Sequence, residues 1–373
     1  MAAIAQINAF VDELRAIRQD IHAHPEIGFE EHRTSAIVAD NLAKWGIDVH
    51  RGFGTTGVVG IIQGSRPGAA VGLRADMDAL PMQELSDRPY RSTRPGAFHG
   101  CGHDGHTAML LGAVRYLADT RDFPGTVVAI FQPAEEGLGG AKAMISDGLF
   151  DRFPCDEIYA LHNWPGSPRG VVTATPGPAM AATDFFDINI IGRGAHAALP
   201  QTGLDPVVVA ASLVQALQTI VSRNVDPLRT AVVSVTQIHA GTAYNVIPDS
   251  VYIAGTVRTF DEGMREYIRG RIQQIAKGIG DAFGAKIEIT IKDIYRVLCN
   301  GKAQVDAAID IAREIVSAEM AHVVDEPMAG GEDFADMLAC VPGAYIWLGQ
   351  GDAHMLHNPS YDFDDAILPI GAS

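Results

Sequence analysis

Short apolar runs alternate with amphipathic helical patterns in the first half of the chain, and this alternation constrains the fold most. The strand-like runs are 58–62, 70–74, 126–131 and 157–162. The helical patterns are 7–21, 35–44 and 104–118, the last with Asp104 as its predicted N-cap. Strands separated by helices favour an α/β fold with a mixed, mostly parallel sheet flanked by helices.

The middle of the chain follows a different order. The pattern runs strand 184–191, helix 205–222, strands 231–239 and 251–259, helix 262–283 and strand 286–294. This βαββαβ order is that of the ferredoxin-like α+β unit, with four antiparallel strands. Helix 304–318 and strand 344–348 then restore the α/β pattern. We therefore predict one domain built from 1–181 and 297–373, with a smaller domain, 182–296, inserted in it.

Acidic side chains and a histidine lie at or just past the ends of several predicted strands. They are Asp76, Asp78, Glu135, Glu136 and His162. The carboxyl ends of parallel strands meet at one edge of a sheet, where ligands of α/β proteins bind. These side chains are therefore expected to lie close together.

Cys101 and His103 stand two residues apart on a glycine-rich loop. A thiolate and an imidazole are good ligands for zinc and similar divalent metals. With His162, His357 and one of Glu135 or Glu136, the candidate ligands exceed the four of a single tetrahedral zinc. Two metals are indicated, and the other glutamate could accept a proton from water. Taken singly, each residue has a simpler explanation, such as a buried cysteine in the core or a solvated glutamate pair.

Composition narrows the classes of partner and compartment. The chain has 373 residues and a formal net charge of −17, which disfavours nucleic acids and anionic membranes as partners. Neither a secretory signal nor a membrane-spanning segment is predicted. Four cysteines in a chain of this length do not form a disulfide framework. We predict a reduced, cytoplasmic protein.

Nine segments in order resemble the M20 metallopeptidase family, in particular its branch of aminoacylases, hippurate hydrolases and indole-acetyl-amino-acid hydrolases. The segments are 24–29, 73–81, 98–103, 131–136, 192–198, 244–248, 255–260, 330–334 and 356–359. The resemblance implies a hydrolase of linear amides that splits N-acyl amino acids into a carboxylic acid and an amino acid.

The resemblance also assigns roles to residues of the first domain. It implies two divalent metal ions, zinc first and manganese, cobalt or nickel otherwise. The implied ligands are Cys101, His103, Glu136, His162 and His357. Glu135 would be the general base, and Asp78 would orient a ligand. Asp76 stands where other branches carry a ligating histidine, a departure for which Cys101 compensates.

The inserted domain resembles the lid and dimerisation domain of the family. It implies a homodimer or homotetramer, with His196 stabilising the oxyanion. Asn245, Arg258, Gly330 and Gly331 match substrate-binding positions. A turn role for His196 and an ion pair between Arg258 and Asp261 are the simpler readings. The final helix of the family is expected here to be a stub or absent.

Two other functions remain open from the sequence. A dipeptidase or carboxypeptidase could use the same metals on a free peptide. A non-catalytic metal-binding or ligand-binding protein would need no base beside a ligand, so Glu135 argues against it.

Overall fold

The computed structural model describes residues 4–373, which divide into two compact units. The first unit contains the chain up to Ala179, Leu298–Glu326 and Glu332–Ser373. The second contains Met180–Val297 and Pro327–Gly331. The predicted inserted domain, 182–296, did not include the short segment Pro327–Gly331.

Strands and helices are numbered in chain order. The strands are β1 (Asp48–Phe53), β2 (Gly57–Gln63), β3 (Arg66–Asp76), β4 (Pro124–Gln132), β5 (Glu157–Pro165), β6 (Val172–Ala174), β7 (Gly177–Met180), β8 (Ala182–Ile191), β9 (Ala195–His196), β10 (Ala231–Ala240), β11 (Val246–Ile247), β12 (Ser250–Thr259), β13 (Lys286–Tyr295), β14 (Leu298–Asn300), β15 (Ala321–Val323) and β16 (Gly343–Gly351). The helices are α1 (Ala5–Asn8), α2 (Val11–Ala23), α3 (His32–Lys44), α4 (His103–Thr120), α5 (Gly140–Ser146), α6 (Leu149–Arg152), α7 (Pro206–Thr219), α8 (Glu262–Phe283), α9 (Lys302–Ile315), α10 (Phe334–Leu338) and α11 (Leu368–Gly371).

The first unit is built on an eight-stranded mixed sheet. Its strand order is β1-β2-β4-β3-β5-β16-β6-β15. The central strands β4, β3, β5 and β16 are parallel, whereas β1, β2 and the β16–β6 pair are antiparallel. Apolar side chains of α3 and α4, including Val38, Leu42 and Leu111, pack with those of β2 and β4. This arrangement confirms the predicted α/β class and brings the ends of β3, β4 and β5 to one edge.

The second unit is a four-stranded antiparallel sheet with two helices. The strand order is β10-β12-β8-β13, and the chain order of strands and helices is the predicted βαββαβ. Leu213, Leu217, Ile268 and Ile272 of the helices pack with strand side chains in one core. Asp205 and Asp261 cap α7 and α8 by accepting hydrogen bonds from backbone N–H groups.

Two local predictions were wrong. The first helical pattern is broken into α1 and α2, because the chain turns at Ala9 and Phe10. Asp104 does not cap α4: Gly102, in the left-handed region, occupies that position. Asp104 lies instead within the first turn, where its carboxylate accepts from His22 at 2.8 Å.

One helical stretch, Pro206–Asn224, is long and apolar enough to cross a membrane by length and composition alone. No membrane-spanning segment was predicted there from the sequence. Such a result is weak evidence for a membrane, because core helices pass the same test. Val209, Leu213 and Leu217 of this stretch are buried in the core of the second unit.

Candidate metal centre

The loop that carries Cys101 and His103 is held in a tight conformation by Gly102. This glycine has φ +96°, which favours a residue without a side chain. A Cβ atom there would lie 2.4 Å from Asn163 Oδ1 and 2.7 Å from Tyr361 Oη. The loop between Cys101 and His103 therefore lies against the polar groups of Asn163 and Tyr361.

Asp78, just beyond the end of β3, orients two candidate ligands. Its Oδ1 lies 3.1 Å from His103 Nδ1, and its Oδ2 accepts from the backbone N–H of Glu136 at 3.0 Å. His103 Nδ1 also lies 2.9 Å from the Asp78 carbonyl oxygen. With Nδ1 engaged, His103 Nε2 is a buried nitrogen without a hydrogen-bond partner among residues 4–373. This is the arrangement expected of a histidine that presents Nε2 to a metal.

The five predicted ligands lie in overlapping groups. Potential ligand atoms of Cys101, His103 and His162 all lie within 4.8 Å of one another, as do those of Cys101, Glu136 and His357. Cys101 Sγ is 3.5 Å from His162 Nε2, and His357 Nε2 is 3.3 Å from Glu136 Oε1. Cys101 and Glu136 thus lie between His103 and His162 on one side and His357 on the other.

Protonation at this cluster responds to burial and to charge. Burial lowers the pKa of His162 well below its usual value, which favours the neutral imidazole that a metal requires. Burial and the Glu136 carboxylate raise the pKa of the Cys101 thiol. Hydrogen bonds to Cys101 and Glu136 raise the pKa of His357 to about 10. Metal binding would therefore release protons from Cys101 and His357.

A thiol, three imidazoles and a carboxylate are a donor set suited to zinc and neighbouring transition metals. Among the described residues His103 Nε2 makes no hydrogen bond, and it lies 3.7 Å from Asp76 Oδ2. This nitrogen and the close approach of the other donors fit divalent cations at this position. The number of donors suits a pair of ions.

Glu135 is buried among other acidic groups. Its carboxylate belongs to one group with His103 and Glu136 and to another with Glu332 and Asp333. Burial, followed by the charges of Glu332, Glu136 and Asp333, raises the pKa of Glu135 well above its usual value. A carboxyl with a raised pKa and a position beside the candidate ligands has the properties of a general base that later donates the proton.

Arg74, Glu332 and Asp333 were given no role from the sequence, and the role of their partner Asp76 was left open. Arg74 Nη1 lies 2.7 Å from Asp76 Oδ2, and Nη2 lies 2.8 Å from Glu332 Oε1 and 3.2 Å from Asp333 Oδ1. All four side chains are buried. Arg74 and Asp76 are two apart on β3 and so share a face, which is a signal the sequence offered. Glu332 and Asp333 are too distant in sequence for any local pattern to place them there.

His106 and Asn163 were also missed. His106 Nδ1 donates to Asp76 Oδ1 at 2.6 Å, and the ring centroids of His106 and His162 are 4.3 Å apart. His103 and His106 are three apart on α4, a spacing that places both on one face of a helix. Asp76, whose role the sequence left open, thus bridges Arg74 and His106.

His196 and Asn245 lie together in the second unit. Strand β9 pairs with β11, and the backbone N–H of Ala197 donates to the Asn245 carbonyl oxygen at 3.0 Å. The His196 side chain is exposed, and its Nδ1 accepts from the backbone N–H of Ala198 at 3.1 Å. The two residues share one ribbon, so a ligand that contacts one can reach the other.

Arg258, Gly330 and Gly331 also belong to the second unit. Arg258 Nη1 donates to Thr256 Oγ1 and to the Val257 carbonyl oxygen, and no ion pair between Arg258 and Asp261 is found among the described residues. Asp261 instead caps α8. A Cβ atom at Gly331 would lie 2.3 Å from the Tyr295 ring, so this position requires glycine.

Comparison with known proteins identifies the class to which this fold and site belong. The sequence model of peptidase family M20/M25/M40 matches residues 72–373. The chain is 41% identical over 373 residues to hippurate hydrolase of Campylobacter jejuni, with 100% of this chain and 97% of the relative covered. It is 41% identical over 357 residues to N-acetyl-L-cysteine deacetylase of Bacillus subtilis, with 95% and 85% covered.

A solved structure supports the same assignment. The Bacillus subtilis YXEP protein, a dinuclear metal binding peptidase from the M20 family, matches with TM-score 0.83 and 33% identity, covering 98% of this chain and 96% of its own. The chain belongs to peptidase family M20/M25/M40. The predicted family, its aminoacylase and hippurate hydrolase branch and the hydrolase class are confirmed.

Proposed function

We propose that this protein is a metal-dependent amidohydrolase that cleaves the amide bond of N-acyl amino acids. The observation that carries the proposal is the position of Glu135, within 4.8 Å of candidate ligand atoms of both His103 and Glu136. The 41% identity to a hippurate hydrolase over the whole chain supports the substrate class.

The metal ligands are Cys101, His103, Glu136, His162 and His357. Two divalent ions held there would supply Lewis acidity to the scissile carbonyl and to the attacking water. Zinc suits the thiol and imidazole donors best, with manganese, cobalt or nickel as substitutes. Asp78 keeps His103 in the tautomer that presents Nε2, through the contacts of its carboxylate and carbonyl oxygens with Nδ1.

Glu135 moves the proton. Its carboxylate accepts a proton from the attacking water, whose oxygen bonds to the amide carbon. The same carboxyl then donates that proton to the amine nitrogen as the C–N bond breaks, so the products are a carboxylic acid and a free amino acid. The acidic surroundings raise the pKa of Glu135 and so favour its protonated form, which holds the proton between the two steps.

The second unit supplies substrate recognition in this proposal. His196 stabilises the oxyanion, a contribution worth about 3–4 kcal/mol for one donor. Asn245 and Arg258 bind the carboxylate of the substrate, and Gly330 and Gly331 allow close approach of its backbone-like atoms. The protein works as a cytoplasmic homodimer or homotetramer that associates through this unit, with no nucleic acid or membrane partner.

Glu135→Gln tests the proposal. We expect the variant to keep its metal content but to lose about 10²–10⁴-fold in kcat with hippurate or N-acetyl amino acids, because the proton acceptor is gone. Glu157→Gln, which changes a carboxylate hydrogen-bonded to Tyr159 and Gln304, is the matched control and should retain activity. Substantial turnover by Glu135→Gln would refute the assigned base. Faster hydrolysis of simple dipeptides than of acyl amino acids would favour a dipeptidase instead.

A further inference from the structure

A buried polar cluster lies directly beneath the loop that carries Cys101 and His103. It consists of Asp76, His106, Asn163, Gln350 and Tyr361, and each of these side chains is buried. None of them is among the proposed ligands, and the reaction described above does not use them. Asn163 is the residue to which most of the cluster is bonded.

The Asn163 amide uses its acceptor and both donor hydrogens. Its Oδ1 lies 2.7 Å from His106 Nε2, and its Nδ2 donates to Gln350 Oε1 and to Tyr361 Oη, each at 2.8 Å. Tyr361 Oη also donates to Gln350 Oε1 at 3.3 Å. His106 is fixed in turn by Asp76. A side chain bonded in this way has one orientation, and its backbone is fixed with it.

The backbone of Asn163 connects this cluster to a proposed ligand. His162 Nδ1 donates to the Asn163 carbonyl oxygen at 2.7 Å, which leaves His162 Nε2 facing Cys101 Sγ. The Asn163 nitrogen lies 3.2 Å from His106 Nε2. The ring plane of His162 is therefore set by the position of the Asn163 peptide groups.

The side chain of Asn163 also supports the loop from below. Gly102 passes so close to Asn163 Oδ1 and Tyr361 Oη that a Cβ atom would overlap both. The loop conformation between Cys101 and His103 thus depends on where these two polar groups stand. Asn163 therefore supports all three donors: it binds His162 directly through its carbonyl oxygen, and it supports Cys101 and His103 indirectly through Gly102.

We propose that Asn163 is a positioning residue for the metal centre, which aligns His162 Nε2 with Cys101 Sγ and fixes the Cys101–His103 loop. The inference rests on the ligand assignment in the proposed function. It goes further, because it attributes part of the metal affinity to a side chain that touches neither metal nor substrate. Partners that orient metal ligands commonly account for about 10–100-fold in metal affinity.

The test uses Asn163→Leu, which keeps the approximate volume but removes the hydrogen bonds. The full-length protein is stripped with chelator and titrated with Co²⁺, whose visible and near-ultraviolet absorption reports thiolate and imidazole coordination. We expect about 10–100-fold weaker Co²⁺ binding and an altered absorption spectrum. Tyr361→Phe, which deletes a single partner of the amide, should cause a smaller loss in the same direction.

Asn300→Leu is the matched control. Asn300 is another buried asparagine of the first unit, whose Nδ2 donates to the Thr175 and Tyr345 carbonyl oxygens and whose Oδ1 accepts from the Tyr345 N–H. These partners are backbone groups, and neither Thr175 nor Tyr345 is a proposed ligand or a sequence neighbour of one. The Tyr345 ring, which Asn300 does not bond, lies 6.1 Å from the His162 ring. Asn300→Leu should lose stability to a similar degree, yet keep the wild-type cobalt affinity and spectrum.

The outcomes separate the inference from the function on which it rests. Wild-type affinity and spectrum in a folded Asn163→Leu variant would overturn the inference. If that variant does not fold, wild-type values in Tyr361→Phe would overturn it, and weakened binding would support it. Equal loss of affinity in Asn300→Leu would also overturn it, since general destabilisation would then explain the effect. His162→Ala tests the ligand set separately: unchanged cobalt binding there would remove the proposed ligand, and with it the proposed metal centre.

Discussion

Replacing Arg74 with methionine should destabilise the first unit strongly. Arg74 is buried and lies within 3.2 Å of oxygen atoms of Asp76, Glu332 and Asp333, all of them also buried. Methionine fills much of the volume but leaves three carboxyl groups without their cation. Removing one partner of a buried ion pair costs about 3–5 kcal/mol. The three contacts share one guanidinium, so their losses do not add.

The loss should depend on pH in a defined direction. Burial already raises the pKa of Asp333 well above its usual value, although the Arg74 charge lowers it. Without Arg74 the folded-state pKa rises further. A carboxyl of this kind binds its proton in the folded chain at a pH where the unfolded chain is still ionised. As the pH falls from 7.5, the free energy of unfolding of the variant should therefore rise by about 1.4 kcal/mol per pH unit for each extra proton that the folded chain binds.

Tryptophan fluorescence gives the measurement. All three tryptophans, Trp45, Trp164 and Trp347, lie in the first unit, so urea unfolding followed by fluorescence reports that unit alone. The titrations are made with chelator present, so that metal release does not contribute. Arg66→Met is the control, because the Arg66–Asp122 pair is exposed and should change stability by about 0–1 kcal/mol. A loss below about 1 kcal/mol for Arg74→Met, or a loss independent of pH, would refute the reasoning.

Two further substitutions test the surroundings of the metal loop. Gly102→Ala should lower the free energy of unfolding by about 2–4 kcal/mol and weaken zinc retention, because the added Cβ atom would meet Asn163 Oδ1 and the residue would keep a positive φ. Thermal unfolding and metal analysis measure the two effects. A stable variant with full zinc content would contradict the prediction. His22→Gln should flatten the pH dependence of stability. Burial lowers the pKa of His22, but Asp104 outweighs it and raises the pKa to about 9. The stabilisation by protonated His22 is fully present below pH of about 6.5 and is lost as the pH rises through 9. Over this range the free energy of unfolding of the wild type should therefore fall by about 3 kcal/mol more than that of the variant. Urea unfolding measures both.

The sequence predicted the fold class and the candidate ligands because both leave local signals. Strand-end placement marked Asp78 and Glu135, and close spacing marked Cys101 and His103. Gly102 explains one error: an N-cap residue was expected at Asp104, but the loop enters α4 through a glycine with positive φ. The Asp104 carboxylate instead accepts a hydrogen bond from His22, which is distant in sequence. No pattern within α4 could show this contact.

The carboxyl groups around Glu135 outnumber the cationic side chains that contact them. This excess of negative charge by itself favours the binding of cations. Glu135, Glu332 and Asp333 lie within 4.8 Å of one another, and Arg74 is the nearby cation that contacts two of them. A buried surplus of negative charge opposes folding unless the carboxyls take up protons or positive charge binds near them. Divalent ions beside Glu136 would lie next to this surplus and offset it, so metal binding and the stability of the first unit should be coupled. The same surplus raises the pKa of Glu135 in the metal-free protein.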